Sequence, residues 1–288
     1  MSKQKKSIKT ICKEKVTPSA INTIRFLFNS PKTKGKTIVL IEGSTDKKVY
    51  SFLFNLEKVY LHVLGSCNSI EEILKNLNTK YKDEFFAIKD ADFDWLNKKN
   101  YKYSNLFITD THDLETMMVL SIPEINKRLC CDFFEGKNKN IISKVIKDLK
   151  YLSLIKWFNS FYNFCLDVNC ININLIYDGK KQVKAEQCIE KLYRKQSNEK
   201  KCPDILKKLR TFIKEKYQNE YLFNLKLVNG HDLFIAIAIY IRNYIKKNIN
   251  EEIVSQFCRA AYTLQYFRKT KMYRSIKKWA QLNNKTLF

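Results

Sequence analysis

Carboxylates follow two short apolar runs of this chain and are the side chains best placed to do chemistry. Glu42 follows the run at residues 37–41, and Asp90 and Asp92 follow the run at residues 85–88. Continuous apolar runs bounded by turn residues are typical of buried parallel strands, and open α/β sheets bind ligands outside the carboxyl ends of such strands. We therefore expect both clusters to meet in one crevice. Because adjacent carboxylates repel one another, we expect a divalent cation among them, with Mg²⁺ or Mn²⁺ as the candidates.

Asp46 and Asp94 extend these two clusters. Asp46 lies one helical turn beyond Glu42, and the sequence leaves two roles open for it: ligand of a second metal ion, or cap of the helix that follows. Asp94 continues the alternation of Asp90 and Asp92 as the chain enters a loop, which makes it a supporting ligand at best.

A third acidic group follows the strand expected at residues 106–109. Asp110, Asp113 and Glu115 would lie near the same end of the sheet. The alternative is that they complement the N-terminus of the next helix, where a carboxylate contributes about 0.3 to 1 kcal/mol. For His112 we weigh contact with a phosphate against a position in a solvated turn, and we favour the turn. Further along, Asp232 is the expected N-cap of the most apolar helical segment.

The order of apolar segments predicts the fold. Four strands are expected, at residues 37–41, 59–64, 85–88 and 106–109. They alternate with helices, which indicates parallel pairing with right-handed crossovers. Beyond Pro123 the pattern becomes helical with Lys-rich faces, apart from a β-like stretch at residues 170–177. We predict an α/β fold with a mostly parallel sheet flanked by helices and a mainly helical C-terminal region. The expected divisions are a basic segment and helix at 1–34, a catalytic domain at 35–122 and a basic, mostly helical region at 123–288.

The charge of the chain predicts its partner. The 288 residues carry a formal net charge of +24. This favours a polyanion, because each neutralised phosphate releases counterions, and nucleic acid is the leading candidate. An A/T-rich coding sequence, which enriches Lys, Asn and Ile, is the alternative source of part of this charge. Nine cysteines without regular spacing, no signal peptide and no apolar run of bilayer length predict a cytoplasmic protein with reduced thiols and no membrane association.

Two segments are the most basic and are the candidate nucleic-acid surfaces. Residues 179–216 carry thirteen Lys or Arg against five Asp or Glu, and residues 251–288 carry eight against two. The candidate phosphate contacts are Lys180, Lys181, Arg268, Lys271 and Arg274. The second segment also contains aromatic residues that either stack on bases or belong to the core, and their helical spacing favours the core. These are Tyr262, Tyr266, Phe267, Tyr273 and Trp279.

Four segments, in this order, resemble the TOPRIM-like nuclease family that includes AriB, the toxin of the PARIS anti-phage defence system. They are Ile38–Tyr50 (IVLIEGSTDKKVY), Ala87–Phe93 (AIKDADF), Ile108–Met118 (ITDTHDLETMM) and Asn229–Leu233 (NGHDL). The resemblance implies that Glu42 acts in acid/base transfer or metal binding and that Asp90 and Asp92 bind the metal. It also makes Glu115 a contributor to the site, with Asp113 as possible support, and favours a position of His231 in the catalytic cleft.

Residues and resemblance together predict a metal-dependent nuclease that hydrolyses phosphodiester bonds in RNA, with tRNA among the candidates, or in DNA. The resemblance further implies a toxin controlled by a separate ABC-type ATPase, and it leaves a homodimer open. The alternative is a non-catalytic nucleic-acid-binding or scaffolding protein, because recombination mediators have a TOPRIM fold without cleaving their substrate.

Overall fold

The chain forms two compact units, each assembled from separate stretches of sequence. The computed structural model describes residues 18–65, 70–136, 140–196, 203–219, 224–245 and 248–288. Within these ranges, the sheet unit contains residues 18–91, 99–110 and 262–288, and the helical unit contains residues 92–98 and 111–261. This arrangement differs from the expected division at residue 123, because residues 262–288 belong to the sheet unit.

The sheet unit is built on four parallel strands, as the alternating pattern predicts. They are β1 (Thr37–Ile41), β2 (Val59–Val63), β3 (Phe85–Lys89) and β4 (Leu106–Ile108), in the spatial order β2-β1-β3-β4. The two central strands, β1 and β3, are buried along their whole length, which explains their continuous apolar sequences. The predicted α/β fold with a helical C-terminal region is confirmed.

The helices are distributed between the two units. The sheet unit contains α1 (Pro18–Asn29), α2 (Ser44–Leu53) and α3 (Ile70–Tyr81). The helical unit contains α4 (Leu114–Ser121), α5 (Ile125–Phe134), α6 (Ile141–Asp148), α7 (Lys150–Tyr162), α8 (Ala185–Lys195), α9 (Pro203–Tyr217), α10 (Gly230–Ile245) and α11 (Glu251–Ala261). The chain then returns to the sheet unit with α12 (Leu264–Phe267) and α13 (Lys271–Leu282).

Both faces of the parallel sheet are covered within the sheet unit. Leu40 and Ala87 point into a core formed with α1 and α3. On the opposite face Phe86 packs edge to face against Trp279 of α13, with ring centroids 5.1 Å apart. A parallel sheet is stable only when both of its faces are covered, so α13, from the C-terminal part of the sequence, covers the face that α1 and α3 leave open.

The aromatic residues of the last segment are mainly structural. Tyr262, Phe267, Tyr273 and Trp279 are buried, which confirms the core interpretation for these four, and Tyr266 is half-buried.

The prediction of β structure at residues 170–177 is wrong. The chain there forms two short 3₁₀ turns, Val168–Cys170 and Ile173–Leu175. Oδ1 of Asn172 accepts a hydrogen bond from the backbone N–H of Asn174 at 2.9 Å, a local bond that competes with strand pairing. Local side-chain chemistry therefore overrides the β-branched residues of this stretch.

Three of the six cysteines that the structure describes are buried: Cys130, Cys188 and Cys258. Burial raises the pKa of Cys188 and of Cys258 to about 12, so both thiols are protonated at neutral pH. Cys165 is disulfide-bonded, so the expectation of reduced thiols is wrong for this residue. In the described part of the chain no helix is long and apolar enough to cross a membrane.

Candidate functional site

Glu42 and Asp90 lie together at the carboxyl edge of the sheet. Glu42 is the first residue after β1 and Asp90 the first after β3, and these strands are parallel neighbours. The backbone N–H of Asp90 donates a hydrogen bond to Oε1 of Glu42, with 3.0 Å between the atoms. Both residues are partly exposed. The side chain of Glu42 is therefore held in position by a hydrogen bond, and solvent reaches both residues.

Lys89 is a functional candidate that the sequence interpretation missed. It ends β3 and is only 6% exposed, and its Nζ donates a hydrogen bond to the carbonyl oxygen of Asp90 at 2.9 Å. This places a buried positive charge beside the residue that the resemblance makes a metal ligand. The sequence carries a signal for it, because a lysine within a buried apolar run is rare unless it is paired.

Thr109 fixes the chain just after Asp90. Its Oγ1 accepts a hydrogen bond from the backbone N–H of Ala91 at 2.9 Å, and its own N–H donates to the carbonyl oxygen of Lys89 at 3.1 Å. The ends of β3 and β4 are thereby held together where the carboxylates begin.

Asp46 occupies a helix-capping position. Its Oδ2 accepts a hydrogen bond from the backbone N–H of Gly43 at 2.8 Å, and the residue is buried in the first turn of α2. Of the two roles left open by the sequence, this geometry accounts for the cap. A role of Asp46 as a metal ligand stays a prediction.

Asp110 also caps a helix, but not the one that follows it in sequence. Its two carboxylate oxygens accept hydrogen bonds from the backbone N–H groups of Lys271 at 2.6 Å and Met272 at 2.9 Å. These are the first residues of α13, whose N–H groups have no partner within the helix. A carboxylate at this position satisfies them and complements the helix dipole. The expected helix is therefore wrong for Asp110, because its carboxylate caps α13 and not the next helix in the chain.

In the helical unit, Asp92 lies in the left-handed region, with φ of +48°. Its backbone N–H donates to the carbonyl oxygen of His112 at 2.6 Å, and its carboxylate lies 3.9 Å from Nε2 of the same histidine. His112 is 2% exposed and packs edge to face on Phe93, so the solvated turn favoured for it is wrong. Asp94 lies in the same turn, residues 92–98, and is partly exposed.

Asp113 joins the N-termini of two helices within the helical unit. Its Oδ1 accepts from the backbone N–H of Thr116 in α4 at 2.9 Å, and its Oδ2 accepts from that of Gly230 in α10 at 2.6 Å. A Cβ at Gly230 would lie 2.5 Å from Oδ1 of Asp113 and 2.3 Å from Cβ of Glu115. This close approach requires glycine. It explains why the Gly-His-Asp-Leu motif begins with Gly230, and it places Glu115 against the N-terminus of α10.

Asp232 differs from its expected role, while a position of His231 in a catalytic cleft stays a prediction. The side chain of His231 is 64% exposed, and its Nδ1 lies 2.5 Å from Oε1 of Glu251 at the start of α11. Asp232 is not the N-cap of α10. That place is taken by Asn229, whose Oδ1 accepts from the backbone N–H of Asp232 at 3.2 Å, while the Asp232 carboxylate pairs with Nζ of Lys156 at 2.5 Å.

The five candidate phosphate contacts are all exposed and fall into two groups. Lys180 and Lys181 follow Asp178 in the helical unit, and their backbone N–H groups donate to its Oδ1, each at 2.9 Å. These hydrogen bonds, first that of Lys181, lower the pKa of Asp178. The other three are in the sheet unit, where Arg268 directly follows α12 and Lys271 and Arg274 lie on α13.

The donor chemistry of the sheet edge fits Mg²⁺ or Mn²⁺ in part. Mg²⁺ is commonly held by one or two protein carboxylates together with waters, and Glu42 and Asp90 supply that number. Over the described ranges, however, no group of three or more His, Cys, Asp or Glu side chains is arranged to hold a metal ion. The larger ligand set, which adds Asp46, Asp92 and Glu115, therefore stays a prediction.

Comparisons of the chain with protein-family models, with curated proteins and with solved structures found no match.

The double cap at Asp113 predicts a large effect on stability. Asp113→Ala removes the partner of the α4 N-terminus and leaves the buried N–H of Gly230 without an acceptor, so we expect it to lower the free energy of unfolding by about 2 to 4 kcal/mol. Asp113→Asn keeps one acceptor oxygen and is expected to cost about half as much. Urea unfolding followed by circular dichroism measures both. Asp132→Ala, an exposed aspartate on α5, is the matched control. Equal effects of Asp113→Ala and Asp132→Ala would contradict the double cap.

Proposed function

We propose that this chain is a metal-dependent nuclease that hydrolyses phosphodiester bonds in RNA or DNA. The observation that carries the proposal is the pair of Glu42 and Asp90, two acidic residues that follow adjacent parallel strands and are joined by a hydrogen bond of 3.0 Å. Open α/β sheets bind ligands at this edge. Carboxylates of this kind in a chain with a net charge of +24 suit an anionic substrate that is handled through a metal ion.

The residues at the sheet edge match the requirements of phosphodiester hydrolysis. A water molecule must lose a proton as it attacks phosphorus, the P–O bond to the leaving oxygen must break, and that oxygen must gain a proton. Glu42 is proposed to accept the proton of the water, because the hydrogen bond from Asp90 fixes the orientation of its carboxylate. Glu42 and Asp90 would hold Mg²⁺ or Mn²⁺, which would supply positive charge to the phosphoryl oxygens. A role of Asp92 as a further ligand is an expectation that the resemblance carries by itself.

Lys89 is proposed to support this chemistry. Its buried ammonium donates to the carbonyl oxygen of Asp90 and so anchors the backbone from which the Asp90 carboxylate extends. In a buried position a charged hydrogen bond is stronger than in water, which keeps the residue after β3 in one conformation.

The basic face of α13 is the proposed contact for the substrate backbone. The helix buries Met272, Ile276 and Trp279 and contains no acidic residue, while Lys271 and Arg274 are exposed. One side of α13 therefore anchors the helix in the core, and the other presents positive charge. Such a surface binds phosphates without reading sequence.

The biological context comes from the resemblance. It supports a toxin of anti-phage defence that is controlled by a separate ABC-type ATPase and that cuts RNA, with tRNA as a candidate. The partner, the trigger and a homodimer are therefore expectations that the resemblance carries by itself.

A second candidate function is non-catalytic nucleic-acid binding or scaffolding. Two observations favour it. Asp46, Asp110 and Asp113 all accept backbone hydrogen bonds at helix N-termini, and no group of three or more metal-ligating side chains is present among the described residues. On this account the chain binds nucleic acid through its lysines and arginines and leaves it intact.

Glu42→Gln separates the two functions. Glutamine keeps an oxygen that accepts the hydrogen bond from Asp90 but removes the base and its charge. We expect cleavage of a panel of tRNA, single-stranded RNA and duplex DNA to require Mg²⁺ or Mn²⁺, to stop in EDTA and to fall by about 100-fold or more in the variant. Gel electrophoresis of the products measures the rate.

Glu57→Gln is the matched control, because Glu57 is exposed in the same unit and the substitution removes the same charge. It is expected to cleave at the wild-type rate. Equal cleavage by Glu42→Gln and wild type would remove Glu42 from the mechanism. Salt-sensitive binding without cleavage, the same in both proteins, would favour the non-catalytic function.

The α13 surface predicts a change in salt dependence. Replacing Arg268, Lys271 and Arg274 together by Gln removes three proposed phosphate contacts. We expect the slope of the logarithm of the association constant against the logarithm of the salt concentration to become less steep by about 2 to 3. The constant is obtained from competition of an unlabelled duplex with a labelled one. Fluorescence anisotropy at several salt concentrations measures it. The control replaces Lys34, Lys75 and Lys82, which are exposed elsewhere in the sheet unit, by Gln. If both triple variants lower the slope equally, the binding depends on net charge and not on α13.

A further inference from the structure

The helical unit contains a cavity that the proposed nuclease activity does not use. It has a volume of about 700 Å³ and lies among the end of α6, the start of α7, the loop before α8 and the end of α9. This size is within the range of pockets that hold small organic ligands. It is far larger than a single inorganic ion needs.

The charge of the cavity lining is positive. Three lysines, Lys144, Lys147 and Lys150, face one acidic residue, Asp148. Asp148 is 4% exposed and is neutralised locally, since Nζ of Lys144 pairs with its Oδ2 and the hydroxyl of Tyr177 donates to the same oxygen at 2.7 Å. Among the lining residues that the structure describes, the formal charges sum to +2.

The wall opposite α6 is held by hydrogen bonds and ring contacts. Nε2 of Gln182 donates to the carbonyl oxygen of Lys147 at 2.9 Å and to the hydroxyl of Tyr217 at 3.5 Å. The ring of Tyr217 stacks on that of Tyr151, with centroids 4.6 Å apart and planes inclined by 9°, and Nζ of Lys150 lies 3.5 Å from the Tyr217 ring centroid. These contacts give the cavity fixed polar groups before any ligand arrives.

The electrostatic effect of this wall is visible at Tyr217. Burial raises the pKa of its phenol, but hydrogen bonds with Gln182 and Tyr151 and the ammonium of Lys150 lower the pKa on balance. Burial and the hydrogen bond with Tyr217 raise the pKa of the stacked Tyr151, so the two phenols shift in opposite directions and the lysines of the lining are what favour an anion.

We propose that this cavity binds an organic phosphate of nucleotide size, with its phosphate groups held by Lys147 and Lys150 and its polar groups contacted by Gln182 and Tyr217. The shared chemistry is a nucleotide with a terminal phosphate, which is either a free nucleotide or the 5′-phosphorylated end of a strand. Occupation would connect α6, α7 and α9, and so couple ligand binding to the packing of the helical unit.

Isothermal titration of the full chain in EDTA tests the proposal without involving a metal at the sheet edge. The probes are ATP, pyrophosphate and a trinucleotide with and without a 5′-phosphate. We expect ATP or the 5′-phosphorylated trinucleotide to bind, and Lys147→Gln and Lys150→Gln each to weaken that binding by about 10-fold or more, as expected for loss of a charge-assisted hydrogen bond. Tighter binding of ATP would indicate a free nucleotide as the ligand, and tighter binding of the 5′-phosphorylated trinucleotide would indicate a strand end.

Lys208→Gln is the matched control, because Lys208 is exposed on α9 and does not line the cavity. It is expected to bind the probe within about twofold of wild type. Glu42→Gln is expected to bind it normally, so failure of the nuclease proposal and failure of this one are distinguishable. Thermal melts of each variant show whether it is folded. The proposal is overturned if no probe binds, if pyrophosphate binds as tightly as ATP and the phosphorylated trinucleotide, or if folded Lys147→Gln and Lys150→Gln bind like Lys208→Gln.

Discussion

The parallel pairing of β1 with β3 is the constraint on which the candidate site depends. The ladder runs from Ile38 opposite Phe85 to Leu40 opposite Ala87, between strands that are buried along their whole length. Beyond it the backbone N–H of Asp90 is satisfied by the side chain of Glu42. Because the side chains of a strand alternate between faces, a slip of one residue would move each side chain to the opposite packed face of the sheet and would separate these two residues. Burial of the strands therefore also fixes the carboxylates.

The remaining acidic residues show how an acid-poor, strongly basic chain uses its carboxylates. Asp46, Asp110 and Asp113 accept backbone hydrogen bonds at helix N-termini, and Asp148 and Asp232 are buried against lysines. These carboxylates therefore stabilise helix ends and buried contacts within the two units. Glu42 and Asp90 differ because they follow strands at the edge where open α/β sheets bind ligands. In the lysine-lined cavity of the helical unit, Asp148 is the one acidic residue among the described lining residues, and it pairs with Lys144.

The sequence predicts the strands and the fold class well because buried parallel strands need continuous apolar runs, and those runs are visible at β1 and β3. It predicts side-chain partners less well, because they depend on contacts between residues far apart in the chain. Asp110 caps α13, about half the chain away, and Asn229 displaces Asp232 as the cap of α10 since Asp232 pairs with Lys156. At the 3₁₀ turn Ile173–Leu175 the side chain of Asn172 bonds locally to the backbone, which strand propensity ignores. Lys89 was missed because the expected strand ended at residue 88, which left this lysine outside the buried run.

The proposed nuclease requires a divalent cation held by Glu42 and Asp90 at the carboxyl edge of the sheet. Crystals of the protein soaked in MnCl₂ and measured at a wavelength where manganese scatters anomalously test it most directly. We expect an anomalous peak at coordination distance from carboxylate oxygens of Glu42 and Asp90, and we expect this peak to be lost in crystals of Glu42→Gln. Manganese bound only elsewhere, or a peak at this edge that persists at full height in Glu42→Gln, would contradict it.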